Sequence, residues 1–149
     1  MPKTMRVMEI TTPLGDDVLL FHSLHAREEL SRLGEYQLEL LSPKANIKAD
    51  DILGKNVTVK LALQDDKTRY FNGFVTRFAQ GASYGRYNRY HASVRSWLWF
   101  LTRTADCRIF QEMTVPDIVK KVFGDHPTAD FKLELTGTYR KWTYCVQYR

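Results

Sequence analysis

The chain has 149 residues, of which 44% are hydrophobic and 13% aromatic, so it can form a folded core and is not a disordered polypeptide. Its formal net charge of +5 comes from 22 basic and 17 acidic residues spread along the chain, which gives only weak support for an acidic partner. The two cysteines, Cys107 and Cys145, form no CxxC pair or zinc-spaced cluster, and we interpret them as reduced, partly buried thiols.

Alternating apolar residues predict β-strands up to about residue 101. The predicted strands are Val18–Leu24, Tyr36–Leu40, Val57–Leu63, Arg69–Phe78 and Arg89–Leu101. Turn residues at 65–67 predict an antiparallel hairpin, and the Gly-containing stretch 80–88 predicts a second hairpin connection. Gly73, inside a predicted strand, indicates either a bulge or a close approach of another backbone.

One helix is predicted at about Thr114–Phe123. Thr114 has N-cap character with Asp117 three positions later, apolar residues form a single stripe, and Gly124 supplies a stop signal. Further strands are predicted at Phe131–Leu135 and Trp142–Tyr148. The sequence therefore predicts a mainly β (α+β) fold, with a barrel-like antiparallel β domain at 1–105 and a helix-containing second subdomain at 106–149.

Two aromatic and basic segments leave alternative interpretations open. Trp97 and Trp99 would share one face of a regular strand, with Leu98 and Phe100 on the other, so this strand needs cover from a two-layer core or from another subunit. Residues 108–111 place Ile109 and Phe110 either as a core pair between solvated groups, or at a junction where Arg108 and Gln111 bond to backbone.

No secretory signal is apparent, because Met1–Asp17 contains charges, Pro13 and Gly15 in place of an apolar region. No apolar run approaches the about 20 residues that span a bilayer. We expect the protein to fold in the cytoplasm and to be exported, if at all, by a route that reads no N-terminal signal.

Six short blocks occur in one order along the chain: Phe21–Ser31 with Tyr36–Ser42, Ile52–Val59, Arg69–Thr76, Trp97–Thr102, Cys107–Gln111 and Tyr144–Arg149. In content and order they resemble the opening part of VgrG and phage tail hub proteins. Ser96 departs from the family, which generally carries Pro at that position. Because family members continue beyond the last block, we expect this chain to be a truncated form.

The resemblance implies structural roles for sixteen signature residues: Phe21, Glu28, Leu30, Ser31, Tyr36, Gly54, Phe71, Gly73, Trp97, Trp99, Arg108, Phe110, Gln111, Val146, Gln147 and Tyr148. It implies a homotrimeric hub that seats on a secreted tube built of Hcp-like rings and supports a spike. Baseplate and effector proteins are the other implied partners, and the type VI apparatus is the implied export route. Alone, the chain is expected to be a monomer or a weak oligomer.

Nucleic-acid binding is the alternative function, because Tyr84–His91 interleaves aromatic and basic residues as a stacking platform does. The competing interpretation is a hairpin tip whose Tyr and Arg side chains cover neighbouring strands. No nucleic-acid motif accompanies the cluster, so we favour the hairpin tip.

Catalysis is not predicted. Adjacent carboxylates Glu28 and Glu29 would point apart on a strand, and Ser23 and Ser31 lie in no nucleophile elbow. The four histidines are scattered: His22, His25, His91 and His126. No loop has phosphate-binding or dinucleotide-binding spacing, so we expect no cofactor, metal or nucleotide.

Overall fold

The computed structural model describes residues 7–148. The chain forms two compact units, and the boundary between them in the sequence falls between Ser96 and Trp97. The six strands of the first unit are β1 (Met8–Thr11), β2 (Leu20–Arg27), β3 (Glu35–Ser42), β4 (Asn56–Ala62), β5 (Thr68–Tyr84) and β6 (Tyr87–Arg95), with a short 3-10 helix at Ala49–Asp51. The second unit contains α1 (Leu98–Leu101), β7 (Arg108–Thr114), α2 (Val115–Gly124) and β8 (Lys141–Gln147). Arg149 of the last signature block, and Met1–Arg6 of the segment searched for a signal, lie outside the described residues.

The first unit is one antiparallel sheet with the strand order β1-β4-β5-β6-β3-β2. The sheet curls into a half-barrel, and its two edge strands, β1 and β2, approach each other. The predicted mainly β fold is confirmed, as is the hairpin between β4 and β5. Strand β1 was not predicted, because its four residues are too few to establish an alternating pattern.

The core lies on one face of this sheet and is built by the alternation that the sequence displays. Its buried members are apolar residues from four strands and two connections: Leu19, Leu38, Leu40, Ile52, Val57, Val59, Phe71, Val75, Tyr90, Ala92 and Val94. Burial of each large side chain contributes about 1.5–3 kcal/mol relative to its exposure. The hydroxyl of Tyr90, fully buried, donates to the Lys44 carbonyl at 3.2 Å, so the polar end of this ring is satisfied.

Gly73 lies where β5 passes closest to the end of β6. A Cβ atom at this position would stand 2.6 Å from the Arg95 carbonyl oxygen and 2.9 Å from a methyl group of Val94. The irregularities of pairing in β5 occur later, between Val75 and Arg77 and between Gln80 and Ser83. Of the two predicted alternatives, the close backbone approach is therefore the correct one at Gly73.

The predicted second hairpin is confirmed as β5–β6, but its connection is shorter than 80–88. Strand β5 continues to Tyr84, so only Gly85 and Arg86 form the turn, with Gly85 at a φ of +59°. The predicted strand Arg89–Leu101 ends at Arg95, and α1 follows. Tertiary contacts of Trp97 override the alternation there: its indole nitrogen donates to the Asp130 carbonyl at 2.7 Å.

The second unit pairs β7 with β8 in a two-stranded antiparallel sheet. The predicted helix is confirmed as α2, and the Thr114 hydroxyl accepts the Asp117 N–H at 3.3 Å as its N-cap. The predicted strand Phe131–Leu135 is wrong, because these residues form no strand and Phe131 instead packs its ring on Trp97 and Phe123. The domain boundary at 105/106 stays a prediction.

We expect Gly73→Val to lower the free energy of unfolding by about 1–3 kcal/mol, because the branched side chain must displace the backbone of β6. Urea unfolding followed by circular dichroism measures this loss. Gly124→Ala is the matched control, since a Cβ there meets nothing within 4 Å and alanine favours the helix. Equal unfolding midpoints for wild type and Gly73→Val would contradict the close approach.

Candidate assembly surface

Three predicted signature residues, Glu28, Tyr36 and Phe71, meet at one end of the first unit. The Tyr36 hydroxyl donates to Glu28 Oε1 at 2.7 Å, and Arg69 donates to Glu28 Oε2 at 2.6 Å. The Tyr36 and Phe71 rings meet edge to face with centroids 5.5 Å apart, and the Arg69 guanidinium lies 4.7 Å from the Phe71 ring centroid. We call these four residues the end cluster.

The curl of the sheet assembles the end cluster. Tyr36 is on β3 and Phe71 on β5, and β6 separates these two strands in the sheet. Glu28 follows the last residue of β2, and its carboxylate accepts the hydrogen bond from the Tyr36 hydroxyl. The sequence did not predict Arg69, because no local spacing indicates a pair 41 residues apart.

Burial and the neighbouring carboxylate perturb Tyr36. Desolvation, followed by the hydrogen bond to Glu28 and the repulsion of a tyrosinate by its charge, raises the pKa of Tyr36 to about 12. Arg69 opposes this shift because its positive charge favours the tyrosinate. The Tyr36 hydroxyl therefore keeps the proton that it donates to Glu28 at pH values where an ordinary tyrosine has already lost it.

The loop from Glu28 to Gly34 extends from the end cluster and carries the signature residues Leu30 and Ser31. Glu29 binds Arg27 at 2.5 Å and lies 3.4 Å from Arg32, and the Arg32 N–H donates to the Glu29 carbonyl. Ser31 has a φ of +62°, in the left-handed region that a tight turn requires. Leu30 occupies the corner of this turn and is 98% exposed.

The remaining signature residues of the first unit lie away from the end cluster. Phe21 packs half-buried against the core, while Gly54 adopts a φ of +69° and its N–H donates to the Val75 carbonyl at 2.8 Å. Gly73 permits the approach of β6. All three positions thus belong to the sheet or pack against it.

Arg108 organises the signature residues of the second unit. Its guanidinium binds Asp106 at 3.0 Å, the Gln147 side chain at 3.1 Å and also Asp125, and it stacks over the Phe110 ring. The predicted backbone contacts of Arg108 and Gln111 are absent among the described residues: Arg108 bonds to side chains because α2 and β8 bring their polar groups to it, and Gln111 is exposed.

Of the core pair predicted at 109–110, only Phe110 is buried. Phe110 is 3% exposed, whereas Ile109 is 66% exposed, because neighbours on a strand face opposite sides and α2 covers only one of them. Trp142, Tyr144 and Tyr148 are also exposed, and Val146 opposite Ile109 is half-buried. Trp97 and Trp99 are half-buried, and Trp97 packs on Phe123.

The two cysteines are exposed, which corrects the prediction that they are partly buried. Cys145 lies on β8, opposite Phe110, and Cys107 directly precedes β7. The short two-stranded sheet leaves both side chains in contact with solvent.

In the basic and aromatic segment Tyr84–His91, arginines lie over two of the tyrosine rings. Arg89 lies over the Tyr84 ring and Arg86 over the Tyr87 ring, each 5.1 Å from the ring centroid. Tyr90 is buried and stacks on Phe78. Because stacking on a base needs an accessible ring face, this arrangement fits the hairpin-tip interpretation.

Groups that a catalytic site would use are engaged elsewhere or dispersed. Glu28 and Glu29 lie in the loop after β2 rather than on a strand, and both bind arginines. Ser23 donates to Glu39 at 3.4 Å. Across residues 7–148, no group of three or more His, Cys, Asp or Glu side chains is placed to hold a metal ion, and no helix is long and apolar enough to cross a membrane.

Comparison with known proteins places these features in a family. Residues 27–149 match the model of the phage tail baseplate hub (GPD) family. The type VI secretion system spike proteins VgrG1c and VgrG1a of Pseudomonas aeruginosa are 47% and 46% identical over 97% of this chain, which spans 20% and 22% of their lengths. The chain thus spans about a fifth of the curated relatives it matches.

A solved structure shares the fold. The E. coli c3393 protein, described as a component of the type VI secretion system with similarity to the T4 bacteriophage tail proteins gp27 and gp5, aligns with a TM-score of 0.66 at 23% identity. The alignment covers 85% of this chain and 39% of that one. At this identity the likeness shows a shared fold.

Titration of the tyrosines tests the end cluster. We expect Glu28→Gln to lower the pKa of Tyr36 from about 12 toward its ordinary value, because the charged acceptor is lost. The change is measured by ultraviolet absorbance of tyrosinate between pH 9 and 13, on the scale of ordinary tyrosine titration near 10. Glu29→Gln is the control, since Glu29 binds Arg27 rather than Tyr36. An identical titration for Glu28→Gln and wild type would refute the assigned contact.

The same shift predicts a loss of stability in alkali. A tyrosine whose pKa is raised on folding stabilises the protein fully below its unfolded pKa near 10, and this contribution disappears as pH rises to about 12. Urea midpoints measured through this range should therefore fall less steeply for Glu28→Gln than for wild type.

We expect no salt-dependent mobility shift with a short single-stranded oligonucleotide. The arginines of 84–91 lie over two tyrosine rings, so a base that stacks on those ring faces would have to displace them. Binding that weakens with salt and is lost in Arg86→Ala would restore the nucleic-acid interpretation.

Proposed function

The chain belongs to the phage tail baseplate hub family, and from that premise we propose that it is a structural component of a type VI secretion spike. In this role its curled sheet forms part of the hub that supports the spike on the secreted tube. The observation that carries the proposal is identity of 45–47% over 97% of the chain with three spike proteins of Pseudomonas aeruginosa.

The architecture suits a part that transmits force. The first unit joins its six strands in one antiparallel sheet and carries the charged and aromatic end cluster at one end. Sheets of this kind resist local opening because each buried strand is held by hydrogen bonds on both sides. We therefore assign the first unit to load-bearing scaffolding.

We propose that the partners are two further copies of the same subunit, a tube protein of the Hcp type, baseplate proteins and effectors. These contacts fit the exposed groups of each unit, namely the Leu30 turn in the first and the apolar strand face with Ile109 and Tyr144 in the second. Export would follow assembly in the cytoplasm and would use the type VI apparatus.

The homologues are structural spike proteins, and we propose that this chain likewise performs no catalysis. A 29%-identical relative from Vibrio cholerae is named actin cross-linking toxin VgrG1, and 91% of this chain aligns with 13% of that protein. The toxin named there is a property of that protein. Here, the one carboxylate of the end cluster, Glu28, is bound to Arg69 and Tyr36, which suits a structural joint.

A segment exchange tests the proposal. The chain replaces the matching segment of VgrG1c in Pseudomonas aeruginosa, and secretion of the tube protein is measured by immunoblot of the culture medium. We expect the chimaera to restore secretion to a strain that lacks its own spike proteins. A Gly73→Val version provides the control for a defective sheet.

Stable accumulation of the chimaera inside the cells without any tube protein in the medium would contradict the proposed role.

A further inference from the structure

Asn72 and Gly73 form the one Asn-Gly pair of the sequence. The carbonyl carbon of an asparagine side chain is open to attack by the backbone nitrogen of the next residue. A glycine at that next position favours the attack, because it has no Cβ to hinder the approach and leaves the backbone free to bend. This pair is therefore the place in the chain where spontaneous deamidation is chemically easiest.

The reaction requires only water. The Gly73 nitrogen loses its proton and bonds to Asn72 Cγ, the C–N bond of the side-chain amide breaks, and ammonia leaves with that proton. Water then opens the cyclic succinimide at one of its two carbonyl carbons. One opening gives aspartate, and the other gives isoaspartate, whose main chain is longer by a methylene group.

In the folded chain, the side-chain amide of Asn72 is bound to strand β4. Its Nδ2 donates to Asn56 Oδ1 and to Thr58 Oγ1, each at 2.7 Å, and also to the Val57 carbonyl at 3.3 Å. In return, Asn56 Nδ2 donates to Asn72 Oδ1 at 3.2 Å. Both polar atoms of the amide are thus held by the neighbouring strand.

The main chain of the pair is fixed as well. Asn72 lies opposite Thr58 and Gly73 opposite Val57 in the β4–β5 register, and Gly73 passes close to the Arg95 carbonyl. A succinimide ring cannot close in an extended strand, because the ψ of the asparagine must turn to bring Cγ to the next nitrogen. The strand pairing must therefore open before the reaction.

We propose that Asn72-Gly73 is a deamidation site that the folded sheet protects and that opening of the β4–β5 pair releases. Asn72 is exposed, so water reaches it in the folded chain, and the protection comes from its hydrogen bonds and extended backbone. The rate of the reaction then follows the fraction of molecules in which this pairing is open. The site is a property of the chain itself and does not depend on the secretion role.

Either product makes such an opening permanent. In aspartate, an oxygen takes the place of Nδ2 and faces Asn56 Oδ1 and the Val57 carbonyl with no proton to donate. In isoaspartate, the added methylene group lies directly before Gly73, where β5 has no room beside the Arg95 carbonyl. A chain that has reacted should therefore refold less well.

Peptide mass spectrometry after incubation at mildly alkaline pH tests the proposal. Cleavage by trypsin after Lys and Arg places each asparagine in its own peptide, 45–48, 56–60, 70–77 or 87–89, so three of the four peptides are internal controls. In urea, we expect the 70–77 peptide to deamidate fastest. In the native protein, its rate should be about tenfold or more lower, because only open molecules react.

Variants of β4 test the hydrogen bonds. Asn56→Ala and Thr58→Val should each raise the native rate about fivefold, because each removes a hydrogen bond of Asn72, and should leave the rate in urea unchanged. Thr76→Val is the matched control, since the Thr76 hydroxyl donates to the Ser93 carbonyl at 3.2 Å rather than to Asn72. Circular dichroism confirms that each variant is folded.

Three outcomes would overturn the proposal. The first is an equal rate for the 70–77 peptide in native and urea-unfolded wild type. The second is a native rate that Asn56→Ala and Thr58→Val leave unchanged, and the third is an equal acceleration by Thr76→Val, which would indicate general loosening of β5. A refolded fraction as rich in isoaspartate as the unfolded sample would contradict the predicted effect on refolding.

Discussion

The approach of two backbones at Gly73 is the constraint on which the first unit depends. Strand β5 pairs with β4 up to Phe74 and with β6 from Phe74 onward, so Gly73 lies at the point where one partner gives way to the other. With 2.6 Å between a hypothetical Cβ and the Arg95 carbonyl oxygen, any side chain would push β6 away. The absence of a side chain therefore allows one long strand to join both halves of the sheet.

The curl that follows from this junction explains the end cluster. Tyr36 and Phe71 belong to strands that β6 separates, yet their rings meet at 5.5 Å. Glu28 accepts hydrogen bonds from the Tyr36 hydroxyl and from Arg69, and these charge-assisted bonds fix the first residue of the loop that carries Leu30. Packing in the sheet thus determines the position from which the exposed turn with Leu30 extends.

The local sequence pattern was sufficient to predict most of the strands and α2. Alternation between buried and exposed residues identified β3 and β4, and the Thr114 cap with its apolar stripe identified the helix. Pattern failed where distant contacts decide: Trp97–Leu101 alternates like a strand, but packing of Trp97 on Phe123 and Phe131 accompanies a helical turn. The pairing of Glu28 with Arg69 was beyond prediction for the same reason, because only the folded sheet brings these residues together.

Under the proposed function, the chain acts through its surfaces, as a fixed part of the hub beneath a secretion spike. Electron cryo-microscopy of a purified spike that carries this chain, bound to the end of its tube, tests this most directly. The account predicts the curled six-stranded sheet in threefold repetition within the hub, seated at the tube end. A spike in which this sheet lies outside the hub, or is absent from the tube-bound assembly, would contradict it.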